Sequence, residues 1–101
     1  MIKQTFVVDI DDTLLISERY LSEGVVHYKN IKPISDEIAA LNKLYDNGHK
    51  IILYTGRNSN CLLETIKQLK EFGIKFHKLV MDKPVGIYID RDAKTSLKEF
   101  V

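Results

Sequence analysis

The sequence predicts an α/β fold, a small three-layer parallel sheet with helices on both faces, and three observations carry that reading. Apolar runs rich in β-branched and aromatic residues fall at 4–10, 50–54 and 85–89, as they do in buried strands of a parallel sheet. Between them lie segments whose apolar residues recur at helical spacing. Strands joined by helices need crossover connections, which make the sheet parallel and set helices on its faces.

Each element has its own signal. The first strand, 4–10, runs into Asp9-Ile10-Asp11-Asp12-Thr13. Residues 14–28 are ambiguous by period. Leu14-Leu15-Ile16 and Val25-Val26 flank Ser22-Glu23-Gly24, which reads as a turn, so a single hairpin or flap is expected. A first helix follows Lys32-Pro33: Ile34, Ile38, Leu41 and Tyr45 share a stripe, and Asn47-Gly48 is a stop signal. Residues 50–54 form a buried strand that ends in Thr55-Gly56-Arg57. The second helix covers 59–72, with Leu62, Ile66 and Leu69 facing inward and Gly73 closing it. A third strand is expected at 74–76 and a fourth at 85–89, the latter ending in Asp90-Arg91-Asp92. Numbered among themselves, the four strands should lie in the order 3-2-1-4.

Composition narrows the function classes. A chain of 101 residues suits one domain, 1–101, with a single core. Its 45% hydrophobic and 29% charged content is that of a soluble globular protein. No apolar run approaches a membrane span, and Met-Ile-Lys-Gln lacks the long apolar region of a signal peptide. The single cysteine, Cys61, cannot form an internal disulfide, so a cytoplasmic location is expected. A net charge of +1 gives no whole-molecule case for nucleic acid.

The polar residues suggest chemistry once they are placed on the strands. Asp9 and Asp11 are two apart, so in an extended chain both carboxylates leave on one side. Such a pair suits Mg²⁺, or a nucleophile beside a general acid/base; the plain alternative is a strand end followed by a polar turn. Thr55, Lys83 and Asp90 also fall at or near carboxyl ends of strands, the edge of an open α/β sheet where ligands bind. A cation, a lysine, a hydroxyl and backbone N–H groups together fit a phosphate.

These motifs, in this order, resemble those of the haloacid dehalogenase superfamily of aspartate-based phosphotransferases. Phe6-Val7-Val8-Asp9-Ile10-Asp11-Asp12-Thr13-Leu14 resembles its first motif and Leu53-Tyr54-Thr55-Gly56-Arg57 its second. Lys83 in Met81-Asp82-Lys83-Pro84 resembles the third, and Gly86-Ile87-Tyr88-Ile89-Asp90 the fourth. The resemblance implies a Rossmann-like fold and a Mg²⁺-dependent phosphomonoesterase working through an aspartyl-phosphate. It implies that Asp9 is the nucleophile and Asp11 the general acid/base. Thr55, the N–H of Gly56, and Lys83 would bind phosphate, and Asp9, Asp11 and Asp90 would hold Mg²⁺. Two adjacent acids are common at the fourth motif, but Arg91 follows Asp90 here, so Asp92 is the candidate for the outer metal shell. Relatives often carry a cap domain after the first motif or before the third. Here the gaps at 14–33 and 76–83 hold only a hairpin and a loop, so a capless, open site is expected.

Other readings stand beside it. Lys78 rivals Lys83, and Arg57 could bind a substrate anion or form a surface ion pair. Asp12 belongs to the turn. His27, His49 and His77 lack ligand spacing, so no zinc is assigned, and the five tyrosines suit packing. A phosphoryl-accepting signalling domain would need an acceptor Asp where Thr55 ends the middle strand. A nucleic-acid 3′-phosphatase would favour a basic face, and a catalytically idle binding or regulatory domain would not need Asp9 and Asp11. The expected substrate is a small phosphorylated metabolite such as a sugar phosphate. The apolar segment 14–28 either packs against a second copy in a homo-oligomer or folds back on its own sheet; the sequence leaves the two equal.

Overall fold

A computed structural model of the chain describes residues 2–84 and 97. In chain order the elements are β1 (Thr5–Val8), β2 (Leu15–Ser22), β3 (Val25–Pro33), α1 (Ser35–Asp46), β4 (Lys50–Tyr54), a 3₁₀ turn (Ser59–Cys61), α2 (Leu62–Glu71) and β5 (Lys78–Val80). β4 lies between β1 and β5, parallel to both. Phe6 pairs with Ile51 and Val8 with Leu53, so all four side chains point to one face. There they form one buried cluster with Ile38, Leu41 and Leu44 of α1, Leu69 of α2, and Leu97. The α/β class with a parallel sheet is therefore as the sequence predicts, and β5-β4-β1 matches the 3-2-1 part of the expected order. The expected fourth strand, and with it Asp90 and Asp92, lies outside the described residues.

The ambiguous segment is a hairpin. β2 and β3 pair antiparallel around Glu23 and Gly24, which have φ of 52° and 77°. Both central residues of a two-residue turn are then left-handed, a type I′ arrangement that Gly24 accepts without steric cost. One extra residue on β3 shifts the register between Ile16 and Glu18. Asn30, at φ 54°, absorbs the resulting bulge.

Two expectations are corrected. The third strand is Lys78–Val80, not 74–76. Gly73, at φ 66°, ends α2; its N–H donates to the Lys70 carbonyl at 3.2 Å, and the Ile74 N–H donates to the Leu69 carbonyl at 3.0 Å. That is a Schellman closure, so Ile74 is buried as the apolar residue that follows a helix rather than as part of a strand. The inward face of α2 also differs. Leu69 is buried, but Leu62 and Ile66 are 39% and 41% exposed, and Thr65 and Gln68 take the interior positions. The site explains why.

Leu41, fully buried, and Leu63, 82% exposed, lie on the two helices and give a test of this core. Leu41→Ala should cost about 2–5 kcal/mol in denaturant unfolding, whereas Leu63→Ala should stay within about 0.5 kcal/mol.

Candidate active site

β1 ends at Val8, and the chain turns sharply to deliver two carboxylates. The Ile10 carbonyl accepts the N–H groups of Thr13, Leu14 and Leu15, at 2.8–3.3 Å. Asp12 takes φ 64° and its N–H donates to the Leu15 carbonyl at 2.8 Å, the turn role that its residue type suits. Ile10 is buried under this turn, so Asp9 and Asp11 stand on either side of it and both line one cavity. The cavity holds about 330 Å³ and is lined also by Asp12, Ser17, Arg19, Tyr28, Gly56 and Arg57. The expected juxtaposition of Asp9, Asp11 and Gly56 is thus present.

Asp9 is half-buried. Its Oδ1 accepts the Ile10 N–H at 2.8 Å, and its Oδ2 lies 3.9 Å from Lys83 Nζ. Burial pushes the Asp9 carboxyl above the usual carboxylate range, and Asp11 and Asp12 add to this; the Ile10 N–H and Lys83 oppose it.

Lys83 reaches this place through its backbone. β5 delivers the chain to the site edge, Asp82 adopts φ 61°, and the Lys83 N–H donates to the Thr55 carbonyl at 2.9 Å. Asp82 fixes the neighbouring loop: its N–H donates to the Arg57 carbonyl at 2.8 Å and its Oδ1 accepts the Ser59 N–H at 3.0 Å. Lys78 instead starts β5, exposed and paired with Ile52. Of the two rival lysines, Lys83 is the one beside Asp9. Thr55 is fully buried and is not among the residues that line the cavity; its hydroxyl accepts the Arg57 N–H at 3.1 Å.

Arg57 is neither a surface residue nor open to substrate. Its side chain is fully buried, and its guanidinium grips Asp11 with two parallel bonds, Nε to Oδ2 at 2.9 Å and Nη2 to Oδ1 at 2.8 Å. Nη1 donates to Gln68 Oε1 at 2.6 Å and to Thr65 Oγ1 at 3.2 Å. Tyr28 covers the plane, with the guanidinium carbon 4.0 Å from its ring centre. A buried guanidinium needs acceptors, which is why Thr65 and Gln68 displace leucine and isoleucine from the inner face of α2. Ser17 completes the setting by donating to Asp11 Oδ1 at 3.0 Å. Three of the roughly four acceptor positions of the Asp11 carboxylate are thereby filled, leaving one on Oδ2.

Ser17, Tyr28, Thr65 and Gln68 carry no motif, and reading the sequence did not find them. One trace was visible: Thr65 and Gln68 stand three apart on a helix whose inner stripe should be apolar. His49 and His77 have structural roles, each accepting a backbone N–H at Nδ1, from Gln4 and from Ile51, both at 3.0 Å.

Comparison with known proteins bears on the family and the fold. A family model described as haloacid dehalogenase-like hydrolase matches residues 6–81. A crystal structure of a structural-genomics target from Vibrio cholerae superposes with a TM-score of 0.69 at 23% identity, over 96% of this chain and 86% of that one. At that identity the likeness establishes the fold. No curated protein matches the chain. Among the described residues no helix is long and apolar enough to cross a membrane.

Two outcomes follow from the charges. Arg57→Met should cost about 3–5 kcal/mol in unfolding, because it strands the partly buried Asp11 carboxylate. Arg57→Lys should recover part of that loss and not all, since a lysine cannot make the paired bonds. For Asp9 the folded state carries the raised value, so its ionisation opposes folding above the carboxylate range and ceases to matter below it. In EDTA, Asp9→Asn should therefore melt higher than the wild type near pH 7, and the difference should close as pH falls below the ordinary carboxylate value. A mutant that melts lower at both pH values would contradict the sign.

Proposed function

The chain belongs to the haloacid dehalogenase-like hydrolase family, and from that premise we propose that it is a Mg²⁺-dependent phosphomonoesterase acting through an aspartyl-phosphate. The observation that carries this reading is the pairing of a half-buried Asp9, beside Lys83, with an Asp11 anchored by Arg57 across one cavity.

The roles follow from the environments. Asp9 Oδ attacks phosphorus as the bond to the leaving oxygen breaks, and its carboxylate is the more exposed of the two that line the cavity. Lys83 pairs with Asp9 and with the phosphoryl oxygens, and the Gly56 N–H and the Thr55 hydroxyl supply neutral donors at the end of β4. Asp11 gives its proton to the leaving oxygen, then takes one from the water that cleaves the acyl phosphate and frees Asp9. Its remaining acceptor position, on Oδ2, is the one Arg57 and Ser17 leave for that proton. Arg57 is therefore a positioning residue rather than a phosphate ligand.

The carboxylate and hydroxyl oxygens that line the cavity fit Mg²⁺. When bound, the ion supplies positive charge against that gathering on the phosphoryl oxygens. The Asp9 carboxylate and the Asp11 backbone carbonyl would hold it with Asp90, Asp92 lending outer support. The substrate we propose is a small phosphorylated metabolite such as a sugar phosphate, which an uncapped cavity of about 330 Å³ admits. The hairpin leaves Ile16, Tyr20, Leu21 and Val26 exposed, which supports its role as a flap and as a contact for a second copy. Light scattering at micromolar concentration would decide on the oligomer, a monomer with full activity ruling out a shared lid.

A generic phosphomonoester should be hydrolysed with Mg²⁺ and not in EDTA. Asp9→Asn should abolish turnover, and Asp11→Asn should slow it by ~10²–10⁴ while substrate still binds. Lys83→Ala should lower the rate far more than Lys78→Ala. Undiminished turnover by Asp9→Asn would overturn the covalent mechanism, and an essential Lys78 would move the phosphate site.

A further inference from the structure

Behind Tyr28, at the seam between the hairpin and α2, three side chains of a different character converge. His27 comes from β3, Cys61 closes the 3₁₀ turn, and Glu64 lies in the first turn of α2. His27 Nδ1 and Glu64 Oε2 are 3.3 Å apart, and one donor atom from each of the three residues falls within 4.8 Å of the other two. Metal bonds of about 2.0–2.3 Å at tetrahedral angles separate donor atoms by about 3.3–3.6 Å. The histidine and glutamate are already at that spacing, and the sulfur lies within 4.8 Å of both.

We propose that His27, Cys61 and Glu64 form a zinc-class transition-metal site, distinct from the oxygen-lined cavity at Asp9. A thiolate, an imidazole and a carboxylate select Zn²⁺ or Co²⁺ over Mg²⁺, and three protein ligands leave a fourth position for solvent. One thiolate and one carboxylate neutralise a divalent charge. The ring of His27 is held by stacking on Tyr20 at 5.4 Å, which fixes its direction. Cys61 is buried and its thiol donates to the Val26 carbonyl at 2.7 Å. Burial and the Glu64 carboxylate push that thiol up, so metal binding displaces its proton and tightens as pH rises.

Occupancy would pin the hairpin to α2. That hairpin carries Tyr28, which covers Arg57, and Ser17, which holds Asp11. The metal would therefore act as a clamp on the flap of the candidate active site, whether or not the phosphatase reading holds.

The test uses Co²⁺ as the spectroscopic probe, with Mg²⁺ in excess to occupy oxygen sites. The wild type should develop a near-ultraviolet thiolate-to-cobalt charge-transfer band with intense tetrahedral visible bands, and Zn²⁺ should bleach both while Mg²⁺ does not. Cys61→Ser should lose the charge-transfer band. His27→Ala and Glu64→Gln, at half-exposed positions that leave the core intact, should each need at least tenfold more Co²⁺. No charge-transfer band in the folded wild type overturns the site. So does a band that His27→Ala and Glu64→Gln leave unchanged, since that would be a cysteine binding metal without the other two.

Discussion

A guanidinium taken wholly out of water must find acceptors for its N–H groups and an opposite charge, and the placement of Arg57 subjects much of this small structure to that demand. Four of its N–H groups are accounted for: two by Asp11, one each by Thr65 and Gln68. Its face is covered by Tyr28. The acceptors come from the turn after β1 and from α2, the cover comes from β3, and the arginine itself follows β4. A single side chain thus ties together the pieces that surround the cavity. Its geometry, with Ser17, leaves Asp11 little freedom to rotate.

The two carboxylates of the motif consequently live in opposite settings. Asp11 is paired on both oxygens, while Asp9 is half-buried with one backbone donor and a lysine at 3.9 Å. Environments that differ this much around two like groups push their properties apart, as the proposed division of roles between them needs. Asp12, exposed at the turn, adds negative charge to the rim and raises the Asp9 carboxyl further.

The hairpin shows how a small chain furnishes a site without an inserted domain. Its bulge at Asn30 and Ser17 brings the Ser17 hydroxyl onto Asp11, and its far strand sets Tyr28 over Arg57 and His27 beside Glu64. Part of this segment folds back on the body and part of it stays exposed. Leu15 and Tyr28 are buried against the body while Ile16, Tyr20, Leu21 and Val26 stay exposed.

By itself the sequence determined what depends on local order: the strands at β1 and β4, the hairpin around Glu23-Gly24, the helices between, and the carboxylates placed where β1 ends. Period, turn chemistry and strand ends are written in neighbouring residues, so they are legible without the fold. The family resemblance added Lys83, which the structure sets beside Asp9. The fourth motif with Asp90 and Asp92 was read with equal ease but lies outside the described residues. Only the tertiary structure decided the fate of Arg57, because its partners stand 46, 11 and 8 positions away and no spacing rule links them. It also decided that Thr65 and Gln68 turn inward while Leu62 and Ile66 do not, since a buried charge outweighs the apolar stripe. The same holds for His27, Cys61 and Glu64. Residues 37 positions apart carry no common signal in the chain, and only packing of the hairpin on α2 brings their donor atoms together.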